Sequence, residues 1–213
     1  MSPMTKDFCL TGGAGRSGSV LRSAAFFSFL FLFLLLFPSS AFSGQPSQAK
    51  ADLSGLQLPQ GARVSERVFG LSGLPNAGRV APGIFRGGQP AAEGYRTLKE
   101  MGIRTVVNLR LRHSEKAAVE AEGMRSIEVP INTIGKVDRS TIDRIVGLMA
   151  DPSLQPLYLH CKLGQDRTGI VVAAYRMKKE GWTYKEAVAE MQAFGFNDIW
   201  INLKDSLEDY AEQ

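Results

Sequence analysis

An α/β domain, a mainly parallel central sheet flanked by helices on both sides, is what the order of apolar patterns in this 213-residue chain predicts. Short runs rich in β-branched residues, such as Ile103-Arg104-Thr105-Val106-Val107-Asn108-Leu109, alternate with segments of helical periodicity. The run Pro156-Leu157-Tyr158-Leu159 passes through a short loop directly into a helical pattern, a strand–loop–helix unit. Ligands of such sheets bind at the carboxyl ends of strands, and the loop after Leu159 lies at one of them.

Taken in order, the chain opens with Lys6, Arg16 and Arg22, then an apolar and aromatic run from Ala24 to Phe37 that no charge interrupts, then Pro38-Ser39-Ser40-Ala41-Phe42-Ser43-Gly44. A basic start, a short apolar centre and small residues at Ala41 and Ser43 make the pattern of a secretory signal peptide, residues 1–43. The run falls short of the roughly 18 residues that suggest a membrane span. The mature chain is therefore expected to be exported, periplasmic or secreted, without a span; an uncleaved anchor through residues 24–37 is the alternative. Cleavage after Ser43 removes Lys6, Arg16, Arg22 and Asp7 and takes the formal charge from +4 to +2, so the pI near 9.1 is no argument for a nucleic-acid partner. Cys9 leaves too. Cys161 is then the sole cysteine, which excludes an internal disulfide and a cysteine-based zinc site.

Residues 44–80, rich in Gly, Ser, Pro, Gln and Ala, read as a tether and extended N-terminal arm with no chemistry of their own, and residues 81–213 as the domain. Its core is expected to start at the strand Gly83-Ile84-Phe85-Arg86. Pro90 suits the first turn of a helix running to Met101, and Gly102 its left-handed C-cap. After the strand 103–109, a polar helix from Ser114 to Glu122 leads to the strand Ser126-Ile127-Glu128-Val129. Ile142, Ile145, Val146 and Met149 recur at i, i+3, i+4 and i+7 on a helix that Pro152 ends. Strand 156–160 and helix 168–180 follow. Thr183-Tyr184-Lys185-Glu186 is a capping box opening another helix, and Leu203 to Tyr210 is the last.

Between strand and helix stands His160-Cys161-Lys162-Leu163-Gly164-Gln165-Asp166-Arg167-Thr168-Gly169. A tight turn here directs the backbone N–H groups of Lys162, Leu163, Gly164, Gln165, Asp166 and Arg167 inward at a helix N-terminus, which makes a cradle for a phosphate dianion. The helix N-terminus, Arg167 and the His160 imidazole all favour a thiolate at Cys161, the nucleophilic form. His160 is expected to orient the sulfur and Thr168 to stabilise the thiolate as it leaves. The planar fork of Arg167 can hold two phosphoryl oxygens, which a Lys cannot.

His-Cys-x5-Arg-Thr-Gly resembles the signature of the cysteine-dependent protein tyrosine and dual-specificity phosphatase superfamily. The resemblance implies its fold, a cysteinyl-phosphate intermediate hydrolysed by water, and no metal or other cofactor. Its members take the leaving-group proton from an Asp on the preceding loop, but the corresponding slot here holds Asn132. Asp166 is one candidate replacement, because Asp-Arg-Thr resembles myotubularin-like and bacterial lipid-active members; Asp138, 23 residues before Cys161, is the other, with water or the substrate's own acidity a third route. Lys162 resembles phosphoinositide-directed members. Arg110 and Arg112 follow a strand end and face either substrate or solvent, whereas Arg86 and Gln89 resemble a bacterial and fungal motif that braces the fold. His113 has no metal-ligating companion.

The substrates this implies are a phosphorylated protein, a phosphoinositide or an inositol phosphate. Two other readings compete with it. A non-catalytic phosphate-binding module would account for the missing Asp but not for the intact Cys161 and Arg167. A sulfur transferase of rhodanese type would use a cysteine loop but not His160 and Arg167-Thr168-Gly169.

Overall fold

The computed structural model describes residues 63–212, with 57 and 59–61, all in one compact unit, Gln48–Gln213. The segment 1–43 and most of the tether lie outside the described residues. Among the described residues six strands and six α-helices follow one another, with a single 3-10 turn at Pro152–Leu154: β1 Glu66–Arg67, β2 Gly78–Ala81, β3 Ile84–Gly87, α1 Ala92–Glu100, β4 Thr105–Asn108, α2 Lys116–Ala121, β5 Arg125–Glu128, α3 Arg139–Ala150, β6 Leu157–His160, α4 Asp166–Glu180, α5 Tyr184–Ala193 and α6 Ile201–Ala211. They form one sheet of order β1-β2-β3-β6-β4-β5, with β3, β6, β4 and β5 parallel. The expected α/β architecture is present, and its centre is β6, the strand that delivers Cys161.

Register sorts the core. Val106 of β4 pairs with Tyr158 of β6, and Val107 with Leu159. Side chains alternate across a strand. Val106 and Tyr158 therefore pack on one face with Leu98 of α1 and Val119 of α2, while Val107, Leu157 and Leu159 pack on the other with α3, α4 and α6. Helices cover both faces. Helix α4 is buried along most of its length, which is why it shows no apolar stripe in sequence.

Two boundaries differ from expectation. The sheet begins before Gly83: β1 and β2 pair antiparallel within the stretch read as an arm. Val80 is buried and Arg79 exposed, an alternation too short to register as a strand. Helix α4 starts at Asp166 rather than Thr168, which places Asp166 and Arg167 in its first turn. No helix among the described residues is long and apolar enough to cross a membrane.

Candidate active site

The loop between β6 and α4 is shaped from outside, by donors that occupy its carbonyl oxygens. Cys161 O faces His160 Nδ1 at 3.1 Å, and Lys162 O accepts from the Gln89 backbone N–H at 3.1 Å. Asn76 Nδ2 reaches Leu163 O at 3.3 Å and Gly164 O at 3.1 Å, and Arg86 Nη2 also donates to Gly164 O, at 2.9 Å. Gln165 O accepts from Gly169 N at 2.8 Å inside α4. In a trans peptide the N–H points opposite to the carbonyl. Outward carbonyls at 161–164 therefore turn the N–H groups of Lys162, Leu163, Gly164 and Gln165 to the inner side. Those of Asp166 and Arg167 join them as unpaired donors of the helix N-terminus. The result is a bowl of inward-facing N–H donors, of the kind that suits an anion, with Cys161, 2% exposed, in its wall.

Gly164 is required twice over. Its φ is +71°, and a Cβ there would stand 2.3–2.6 Å from backbone atoms of Gly87 and Gly88. These two glycines admit the loop and are themselves fixed, since Gly88 N donates to Pro75 O and Tyr158 Oη donates to Gly88 O, both at 2.8 Å.

Arg86 is wholly buried, its guanidinium 4.0 Å from the Phe194 ring centroid. Burial lowers its pKa to about 10, against the partly compensating charges of Glu190 and Cys161. It braces the loop, as its motif implies. Arg167 is half-buried, with Nη1 3.5 Å from Leu109 O. Thr168 is fully buried, and its hydroxyl makes no hydrogen bond to a described residue, the Cys161 sulfur included.

His160 departs from its expected role. Its Nδ1 meets the Cys161 carbonyl and its Nε2 the carboxylate of Glu115, so it holds the loop through backbone rather than through sulfur. A carbonyl can only accept, so Nδ1 carries a proton. Glu115 is buried, which pushes its carboxyl up in pKa; the hydrogen bonds from His160, Tyr95 and Gln89 outweigh that, and the net shift is downward. The ring is thereby fixed between the loop backbone and Glu115.

The network continues outward. Glu115 Oε2 accepts from Tyr95 Oη at 2.7 Å and Gln89 Nε2 at 2.6 Å, and Arg110 Nη1 donates to Gln89 Oε1 at 2.9 Å. Arg110 is thus half-buried and tied to Gln89, while Arg112 is exposed. Glu115 and Asn76 were not legible as site residues. Glu115 lies in what reads as a polar helix start, and Asn76 in the stretch read as carrying no chemistry; Pro75-Asn76 signals only a turn.

The acid candidates separate. Asp166 is half-buried at the start of α4, with Oδ1 accepting from Asn197 N at 2.9 Å. Asp138 is exposed and precedes α3 without capping it by its side chain. Its neighbours are fastened to α6: Val137 N donates to Ser206 Oγ at 2.9 Å, and Lys136 pairs with Asp209 at 2.6 Å. Asn132 turns its own loop, accepting from Ile134 N at 3.0 Å. Lys162 and Leu163 are exposed at the rim. His113 offers its backbone carbonyl to Asn108, and no group of His, Cys, Asp or Glu among the described residues is placed to hold a metal.

Residues 76–205 match the family model described as DSP-PTPase phosphatase fused to NAD+ kinase. The chain is 29% identical over 123 residues to the dual specificity protein phosphatase TpbA of Pseudomonas aeruginosa strain UCBPP-PA14, covering 58% of this chain and 56% of that protein. It is 29% identical over 126 residues to the inositol diphosphatase DSP2 of Oryza sativa subsp. japonica, covering 56% and 61%. The chain thus spans somewhat over half the length of these relatives. A crystal structure of P. aeruginosa TpbA superposes with a TM-score of 0.61 at 25% identity, over 71% of this chain and 92% of that one. The catalytic core of the PP-IP phosphatase SIW14 from S. cerevisiae, at 20% identity, shares the fold with a TM-score of 0.59 over 65% and 88%.

Proposed function

The chain belongs to the dual-specificity-type phosphatase family whose model spans residues 76–205, and from that premise we propose that it hydrolyses phosphomonoesters through a cysteinyl-phosphate intermediate. The observation that carries this is the bowl itself, with its carbonyls held outward from Cys161 to Gly164 and a buried cysteine beside it. The Cys161 thiolate attacks phosphorus; the P–O bond to the leaving group breaks, and that oxygen takes a proton. Water then attacks phosphorus, the S–P bond breaks, and phosphate leaves with the thiolate restored. Backbone N–H groups and the Arg167 fork stabilise the equatorial oxygens in both steps. We assign the leaving-group proton to Asp166, with Asp138 the competing donor.

Relatives named as a dual specificity protein phosphatase and an inositol diphosphatase support a phosphorylated protein or an inositol phosphate as substrate. Asn132 in the usual acid slot favours a second reading, a module that binds phosphate without turning it over. Cys161→Ser separates the two. Turnover of p-nitrophenyl phosphate by the unmodified chain should vanish in the variant, while vanadate still binds because the N–H groups and Arg167 remain. Residual turnover in Cys161→Ser would sink the covalent route, and an inactive unmodified chain that binds vanadate would leave only the binding module.

A further inference from the structure

Six large apolar side chains are exposed among the described residues: Phe69, Leu111, Ile134, Leu163, Ile199 and Ile201. All six lie on connections at the end of the described domain that carries the bowl, or, for Ile201, at the helix start that follows one. Leu111 follows β4, Ile134 follows β5 and Leu163 follows β6, which is the carboxyl end of the parallel strands. Phe69 lies on the β1–β2 connection, whose Asn76 grips the bowl. Ile199 and Ile201 lie where α5 passes into α6; Asn197 there binds Asp166, and Asn202 binds Thr133 O at 2.8 Å on the loop of Ile134. Single exposed apolar residues are ordinary, but their gathering around one site is not.

The form of this collar narrows what it meets. Ile134 is 84% exposed and Ile199 73% exposed, so these side chains protrude instead of lining a recess; Phe69, also 73% exposed, stands at the edge of a small cavity of about 150 Å³. A recess would suit the side chains of a bound peptide. Protruding aliphatic groups gain only by entering an apolar phase. A soluble inositol phosphate, polar on every side, offers them nothing.

Charge points the same way. Arg110 and Arg112 flank Leu111, and Lys162 precedes Leu163; none of the three makes an ion pair with a described residue. The nearby Lys136 and Asp198 are neutralised by Asp209 and Lys204, and Asp138 and Glu128 are exposed acids at this end, against the three cations Arg110, Arg112 and Lys162. Aliphatic tips interleaved with cations match an anionic bilayer surface, where the tips reach the acyl boundary and the cations meet headgroups.

We propose that this face docks on an anionic bilayer and that the phosphomonoester reaching Cys161 is carried by a lipid headgroup. The inference rests on the phosphatase reading and names its substrate class. The full-length chain and its Ile134→Asp and Ile199→Asp variants should be assayed on phosphatidylinositol monophosphate in phosphatidylserine-containing vesicles, on its deacylated water-soluble headgroup, on a phosphotyrosine peptide with apolar flanks and on p-nitrophenyl phosphate. Each substitution should cost about tenfold on vesicles, the order of one aliphatic side chain withdrawn from an apolar phase, and less than about twofold on the three soluble substrates. Equal loss on vesicles and on the soluble headgroup overturns the proposal, as does loss confined to the peptide, which would make the collar a protein-docking face. A chain inactive on p-nitrophenyl phosphate strikes the phosphatase reading instead. Docking is read separately by Ile134→Trp in the Cys161→Ser chain. Brominated acyl chains in anionic vesicles should quench the added tryptophan whether or not residues 24–37 also attach the chain, and an unquenched signal overturns docking by this face.

Discussion

Asn is the informative replacement at Asp166, because its amide oxygen keeps the bond to the Asn197 N–H while the acid is lost. If Asp166 donates the leaving-group proton, Asp166→Asn should slow hydrolysis of alkyl phosphates by about 10²–10⁴-fold and affect p-nitrophenyl phosphate far less, since that leaving group needs little protonation. Asp138→Asn should change neither. Equal losses on both substrates would mean that Asp166 shapes the bowl, and a leaving-group-dependent loss in Asp138→Asn would move the role to the upstream loop. At this scale the sequence displayed the residues that the reaction fixes by type and spacing, Cys161 and Arg167 foremost. Residues that act through distant contacts stayed hidden. Asn76 meets Leu163 across 87 residues and Glu115 meets His160 across 45, and no local pattern announces either pairing. His160 was visible, but its partner was not; hence the carbonyl of Cys161, and not its sulfur, is what the ring holds.

The bowl is a joint between elements, and its tightest point is Gly164 against the Gly87-Gly88 backbone that follows β3. Neither side can yield through a flexible side chain. Gly164→Ala should cost about 1–3 kcal/mol of stability in backbone strain alone and, by pushing the loop off β3, should abolish vanadate binding. Thermal unfolding and vanadate titration check this; binding retained at the original affinity would show that the bowl can be built without the close approach. Elements with strong local signals were legible: the periodicity of α3, and the capping box of α5, where Thr183 Oγ1 accepts from Glu186 N and Thr183 N donates back to Glu186. Strands β1 and β2 were not, because two and four residues at a sheet edge carry too little alternation, and their order is set by pairing with β3.

Across the whole molecule, buried polar groups tie the layers together, and their ionisation links stability to pH. Arg176 of α4, 1% exposed, holds Glu190 of α5 at 2.9 and 3.0 Å and Ser65 Oγ at 3.1 Å, which fastens the start of the N-terminal strands to the helical layer. At the sheet's carboxyl end, Glu115 joins α1, through Tyr95, to β6, through His160. Glu115→Gln turns one of the two acceptor oxygens shared by His160, Tyr95 and Gln89 into a donor, so it should cost about 1–3 kcal/mol of unfolding free energy at neutral pH. The pH dependence has a definite sign. Glu115 titrates in the folded chain below its ordinary value of 4.5, so its contribution is present above about pH 4.5 and is lost as pH falls through the folded value. Denaturant unfolding at a series of pH values should therefore show the gap between the unmodified chain and Glu115→Gln narrowing as pH falls below about 4.5. A gap that stays constant into acid would show that the carboxylate charge does not hold His160, and that the two residues pack as neutral partners.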